Sequence, residues 1–115
     1  MKSKIALAFE NCKKENRSAL ITYTVAGDNT KNNSLKILNK ISKYADILEL
    51  GFPHNTPIAD GGQIQGSSHR ALKNGIKLKD VFQIVKKLCC RPNNNFGNPH
   101  LLTNKIHLLR LSQPR

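Results

Sequence analysis

Two acids set eleven residues apart, Glu49 and Asp60, are the side chains of this 115-residue chain best placed to do chemistry. Glu49 lies in the run Ala45 to Phe52, which is otherwise apolar except for Asp46. A carboxylate at the end of a buried strand is costly to desolvate, so the position needs a compensating role. Asp60 stands between Ala59 and Gly61-Gly62, after a loop punctuated by Pro53 and Pro57. A strand thus delivers one acid to its end and a stiff loop delivers a second nearby. Carboxylates so placed are candidates for acid–base work. Each also has a plain structural reading: Glu49 paired with a nearby Lys or amide, and Asp60 as a turn or helix-capping residue before Gln63.

The elements that must position these acids follow from hydrophobic periodicity. Residues 3–15 place Ile5, Ala8, Phe9 and Cys12 at helical spacing, which predicts an amphipathic first helix. The opening Met-Lys-Ser-Lys and the short apolar stretch behind it lack a cleavage pattern, so they are not read as a signal peptide. Ala19 to Val25 is rich in β-branched residues, includes Tyr23, and reads as a buried strand. Ala26-Gly27-Asp28-Asn29 is a turn. A helix is expected to open at Asn33-Ser34, with Leu35, Ile37, Leu38 and Ile41 inward. Asp46 to Gly51 is the second strand, completing a βαβ unit and favouring a parallel pair. Gln63 to Lys73 reads as a helix that turns Ile64, Ser67, Ser68, Ala71 and Leu72 inward and stops at Asn74-Gly75. Leu78 to Leu88 is a further amphipathic helix, with Leu78, Val81, Phe82, Val85 and Leu88 on its apolar face.

The pattern changes at Cys89. From there to Arg115 there is no acid, and Pro92, Asn93 to Asn95, Gly97, Asn98 and Pro99 form a cluster of breakers. Leu101 to Leu111 is apolar and compatible with a marginal helix or strand. The expectation is a body over residues 1–88 and an unrelated, basic, irregular and disordered tail over 89–115. The net charge of +12 raises nucleic acid as a partner. The lysines, however, are scattered without aromatic interleaving, and only Arg17 and Arg70 precede residue 88. Charge alone supplies sequence-independent attraction, so no specific nucleic-acid partner is expected. No run is long enough to span a membrane.

Cys12, Cys89 and Cys90 make an odd count with an adjacent pair, which implies no disulfide framework and fits a reducing, cytoplasmic compartment. Cys89-Cys90 with His100 and His107 match no standard zinc spacing, so no metal site is expected.

Three stretches resemble one family. Ala19 to Asp28 (ALITYTVAGD), the segment ending in ADILELGFPHNTPIADG, and Gln63 to Lys87 (QIQGSSHRALKNGIKLKDVFQIVKK) are similar, in order, to the amino-terminal third of the tryptophan synthase alpha chain. The strand-end Leu-Glu-Leu-Gly followed by Pro57-Ile58-Ala59-Asp60-Gly61 carries most of the specificity. The resemblance implies an α/β fold: a partial (β/α)8 TIM barrel comprising an amino-terminal helix and the first two βα units. It also implies a lyase of tryptophan biosynthesis that cleaves indole-3-glycerol phosphate to indole and glyceraldehyde 3-phosphate. Glu49 then matches the catalytic general acid/base that protonates the indole ring carbon. Asp60 matches the catalytic aspartate that meets the indole N–H as positive charge develops. Tyr23 matches an aromatic substrate-binding position, although a plain core aromatic is an equal reading. The chain itself would need no cofactor; the partner would be a beta chain that carries pyridoxal phosphate and receives the indole.

Departures from the family pattern are expected to matter. Asn55-Thr56 replaces a usual Ser-Asp, so Thr56 removes an acid of the beta-chain interface and weakens it. Gly62-Gln63 replaces Pro-Thr, and Val25 replaces a threonine. A barrel of this type takes about 250 residues, with phosphate held near strands seven and eight. The sequence therefore reads as a truncated fragment, ended early or frameshifted after about residue 88, with little activity by itself. The competing reading is a non-catalytic fragment that only associates with a beta chain or a complementary barrel segment.

Overall fold

The computed structural model describes residues 3–56, 58–89 and 106–109. In chain order these form α1 (Lys4–Lys14), β1 (Ile21–Val25), α2 (Lys31–Ile41), β2 (Ile47–Gly51), α3 (Gly62–Lys73), α4 (Leu78–Cys89) and β3 (Ile106–Leu109). The strands make one sheet in the order β1-β2-β3, and both pairings are parallel. Strand followed by helix, twice over, on a parallel sheet is an arc of a (β/α)8 architecture, as the family resemblance implies. β3 lies inside the segment read as a tail, where four residues of the apolar stretch Leu101 to Leu111 take the strand alternative. The remainder of that segment, with the side chains of Cys89, Cys90, His100 and His107, lies outside the described residues.

Register divides the sheet into two faces. Tyr23 is paired with Glu49 and Thr24 with Leu50. Paired residues of parallel strands project to the same side, and successive residues alternate. Leu50 packs with Ala26, Leu35, Leu38, Val81, Ile84 and Leu88 in one buried cluster, so the Leu48–Leu50 side faces α2 and α4. Tyr23, Glu49 and Gly51 occupy the other side, the interior of a barrel of this type. Each fully buried Leu or Ile of the cluster contributes about 1.5–3 kcal/mol by transfer from water.

Local chemistry explains the helix ends. Ser3 Oγ accepts from the Ala6 N–H at 3.2 Å, and Lys13 and Lys14 sit in the last turn, where cations suit the helix dipole. α2 opens earlier than expected, at Lys31, because Thr30 Oγ1 accepts from the Asn33 N–H at 3.0 Å and acts as the cap. Ser34, expected at the helix start, is instead buried one turn in, where its hydroxyl accepts from the Gly27 N–H at 3.2 Å. Gly27 has φ +76°, and a Cβ there would lie 2.5 Å from Ile76 Cδ1, so this turn requires glycine twice over. α3 ends as expected: Asn74 caps it and Gly75 follows at φ +76°.

Two faces need correction. Ile37 is exposed, and the inward side of α2 is Ser34, Leu35 and Leu38. In α4 the buried stripe is Val81, Ile84 and Leu88, while Leu78 and Phe82 are 54% and 55% exposed. The stripe rotates toward Ile84 because α4 packs on α2 and the end of β2 rather than around Phe82. β1 is also less buried than a central strand, with Ile21 44% exposed, because no strand pairs with its outer edge among the described residues.

Candidate active site

The two acids of the apolar run meet opposite fates. Asp46 precedes β2 and is saturated: Arg17 donates to both of its oxygens at 2.8 Å, and the Leu20 N–H donates to Oδ2 at 2.9 Å. The Arg17 guanidinium holds the Asp46 carboxyl well below the usual carboxylate range, and Asp46 together with Glu15 raises Arg17 in return. This pin ties α1 and the starts of both strands together at the amino-terminal end of the sheet.

Glu49 is different. It is half-buried in the middle of β2, and its carboxylate makes no hydrogen bond or ion pair among the described residues. Among the described residues, then, no lysine or amide pairs with it. Its neighbours in register are Tyr23 on β1 and His107 on β3, and Tyr23 lies over the end of β2. Gly51 makes this approach possible, because a Cβ there would overlap the Tyr23 hydroxyl and lie 2.5 Å from its Cζ. Burial pushes the Tyr23 phenol up, and the charges of Asp60 and then Glu49 push it further. Both carboxylates thus act on one phenol at the carboxyl-terminal end of the sheet.

The loop after β2 returns Asp60 to that end. Asp60 does not cap α3: the N-cap is Gly61, which has no side chain to offer, and Asp60 contributes its backbone carbonyl to Gln65 Nε2 at 2.7 Å. Its carboxylate stays with the site, 3.9 Å from His54 Nε2. His54 Nε2 is buried and without a hydrogen-bond partner, as are Thr22 Oγ1 and Thr24 Oγ1 on the helix-facing side of β1. The structure therefore brings Tyr23, Glu49 and Asp60 to one face and one end, with His54 added. The sequence offers no signal for His54 beyond its place six residues before Asp60 in the loop. Reasoning from sequence also missed the second anchor. Arg70 of α3 donates to both oxygens of Asp28 at 2.8 and 2.9 Å, tying α3 to the turn after β1 and lowering the Asp28 carboxyl. Among the described residues no group of His, Cys, Asp and Glu could hold a metal ion, and no helix is long and apolar enough to cross a membrane.

Two unpaired or weakly paired carboxylates and an aromatic wall at strand ends can move a proton at one atom while stabilising charge at another. A family model described as tryptophan synthase alpha chain matches residues 9–95. The chain is 73% identical over 84 residues to the tryptophan synthase alpha chain of Pelagibacter ubique (strain HTCC1062), covering 73% of this chain and 32% of that protein. It is 51% identical over 69 residues to that of Pyrococcus furiosus, covering 60% of this chain and 28% of the relative. Among solved structures, one from Aquifex aeolicus VF5 superposes with a TM-score of 0.73 at 38% identity over 76% of this chain and 35% of its own. The alpha-subunit in a tryptophan synthase α2β2 complex from Pyrococcus furiosus superposes at 0.59 and 51% identity, over 60% of this chain and 30% of its own. The chain spans about a third of the length of the relatives it matches.

Proposed function

Because the chain belongs to the tryptophan synthase alpha chain family, we propose that it carries the acid–base half of a site that cleaves indole-3-glycerol phosphate to indole and glyceraldehyde 3-phosphate. The observation that carries this reading is Glu49, a half-buried carboxylate without a partner among the described residues, facing the same phenol as Asp60. In the reaction Glu49 delivers a proton to the indole ring carbon as the carbon–carbon bond weakens. It then recovers the proton from a substrate hydroxyl as the new carbonyl forms. Asp60 accepts the indole N–H and stabilises the positive charge that spreads onto the ring. Tyr23 supplies an aromatic wall held in place by Gly51. None of this chemistry calls on a cofactor in this chain. Pyridoxal phosphate belongs to the proposed beta-chain partner, whose contact is weakened by Thr56. Cys12, a free buried thiol, supports a reducing, cytoplasmic setting.

The catalytic unit is proposed to include more than these 115 residues. Barrels of this type hold substrate phosphate in loops near strands seven and eight, and the outer edge of β1 is open, with Leu20 50% and Ile21 44% exposed. That edge supports a second reading, in which the chain only associates with a complementary barrel segment or a beta chain. Indole release from indole-3-glycerol phosphate separates the two when the chain is mixed with a segment supplying the later strands of a close relative. The catalytic reading expects little turnover from the chain alone, turnover in the mixture, and a loss of at least about 10²-fold on Glu49→Gln. A complex that forms without indole release, or turnover indifferent to Glu49→Gln, overturns it.

A further inference from the structure

His54 is a polar group in an unfavourable place. Its side chain is 30% exposed, yet Nε2 has no solvent contact and no hydrogen-bond partner. A buried nitrogen left unpaired is costly, so such an atom ordinarily serves a state in which it is paired. The acceptor within ion-pair distance is Asp60 Oδ2, 3.9 Å away. Closing that gap to hydrogen-bond length takes a movement of about 1 Å. The chain beside Asp60 has room for it: Cβ atoms built on Gly61 and Gly62 meet nothing within 4 Å, and Ile58 is 88% exposed.

We propose that His54 is a positioning residue for Asp60. Its Nε2–H bonds Oδ2 and leaves Oδ1 directed at the substrate N–H. The inference rests on the proposed function for its consequence, though not for the pairing itself. A carboxylate free to rotate presents either oxygen, and one held by a donor presents a single oxygen in a fixed direction. Among the described side chains, the other titratable groups at this end are Tyr23 from β1 and Glu49 from β2, which share Asp60's field. Arg70, on α3, is engaged by Asp28 and leaves Asp60 to His54.

Nuclear magnetic resonance of the imidazole nitrogens tests the pairing in the 115-residue chain without any lyase assay. The ring is expected to carry its proton on Nε2, and Asp60→Ala, which removes the acceptor from an exposed loop, should abolish the hydrogen-bond shift of the Nε2–H resonance. A proton on Nδ1, or an Nε2–H resonance unmoved by Asp60→Ala, overturns the proposal. In the mixture with the later barrel segment, His54→Gln keeps a donor and should retain most of kcat. His54→Phe should lose about tenfold in kcat with KM within about twofold. Equal loss in the two variants, or none in either, also overturns it. If the mixture releases no indole, the lyase reading fails while the Nε2–H resonance still decides the pairing.

Discussion

Gly51→Ala tests how the aromatic wall is seated, and the expected sign depends on the residue facing it. An alanine Cβ at this position overlaps the Tyr23 hydroxyl and sits 2.5 Å from Cζ and 3.1 Å from Cε2. The contact is with a planar ring that has no flexible end to yield, so the ring must swing away from β2 or the strands must part. Overpacking of this kind costs about 1–3 kcal/mol. Gly51 has no positive φ, so the backbone itself accepts alanine. Removing glycine from a strand is worth roughly 0.5–1 kcal/mol of backbone entropy. Tyr23→Leu retains apolar bulk near the strand but does not reach the distal ring atoms. Gly51→Ala should therefore destabilise the chain by about 1–3 kcal/mol when Tyr23 is present and stabilise it by roughly 0.5 kcal/mol in the Tyr23→Leu background, a coupling of about 2 kcal/mol. Urea titrations of the four proteins by far-ultraviolet circular dichroism close the cycle. Equal destabilisation in both backgrounds would show that the ring does not lie on Gly51, and the pocket wall would have to be redrawn.

Two further outcomes follow from the charges. Arg17 depresses the Asp46 carboxyl in the folded chain, so its stabilisation is fully present above the unfolded carboxylate value of about 3.9. That stabilisation is lost as pH falls from there toward the lower folded value. Asp46→Asn should flatten this acid limb in a midpoint-versus-pH series, and an unchanged limb refutes the pin. The Tyr23 phenol is held above its ordinary value by burial, Asp60 and Glu49. With Tyr44, the chain's other tyrosine, replaced by phenylalanine, ultraviolet absorbance against pH should read Tyr23 alone. Asp60→Asn and Glu49→Gln should each move its midpoint downward; failure of both would mean that the acids do not share the phenol's end of the sheet.

What the sequence made legible is what short-range pattern controls. The βαβ order, the strand ends at Val25 and Gly51, and the Asn74-Gly75 stop all follow from branched residues, turn chemistry and caps acting within a few positions. The apolar face of α4 was not legible in the same way. Phe82 and Ile84 both fit a helical stripe, and the choice between them is made by where α2 and β2 lie. The start of α2 moved because a threonine cap outcompetes a later Ser–Asn pair, and because Ser34 is needed inside to receive the Gly27 N–H.

The site divides along the same line. Glu49 and Asp60 stand out as residue types at a strand and a loop, but whether each is occupied elsewhere depends on partners distant in sequence. Asp46 and Glu49 are three residues apart, an odd spacing that sends them to opposite faces of a strand, about 10 Å along its length. Near Asp46 the chain supplies Arg17, twenty-nine residues earlier, and the acid is spent on stability. Near Glu49 it supplies Tyr23, whose phenol the acid pushes up in pKa and does not bond. A strand can therefore begin on a neutralised carboxylate and end on an available one, and it is the placement of one arginine, rather than any property of the acids, that decides which is which. His54 belongs to the same argument: its meaning lies in a 3.9 Å approach across a loop, a distance that spacing along the chain does not encode.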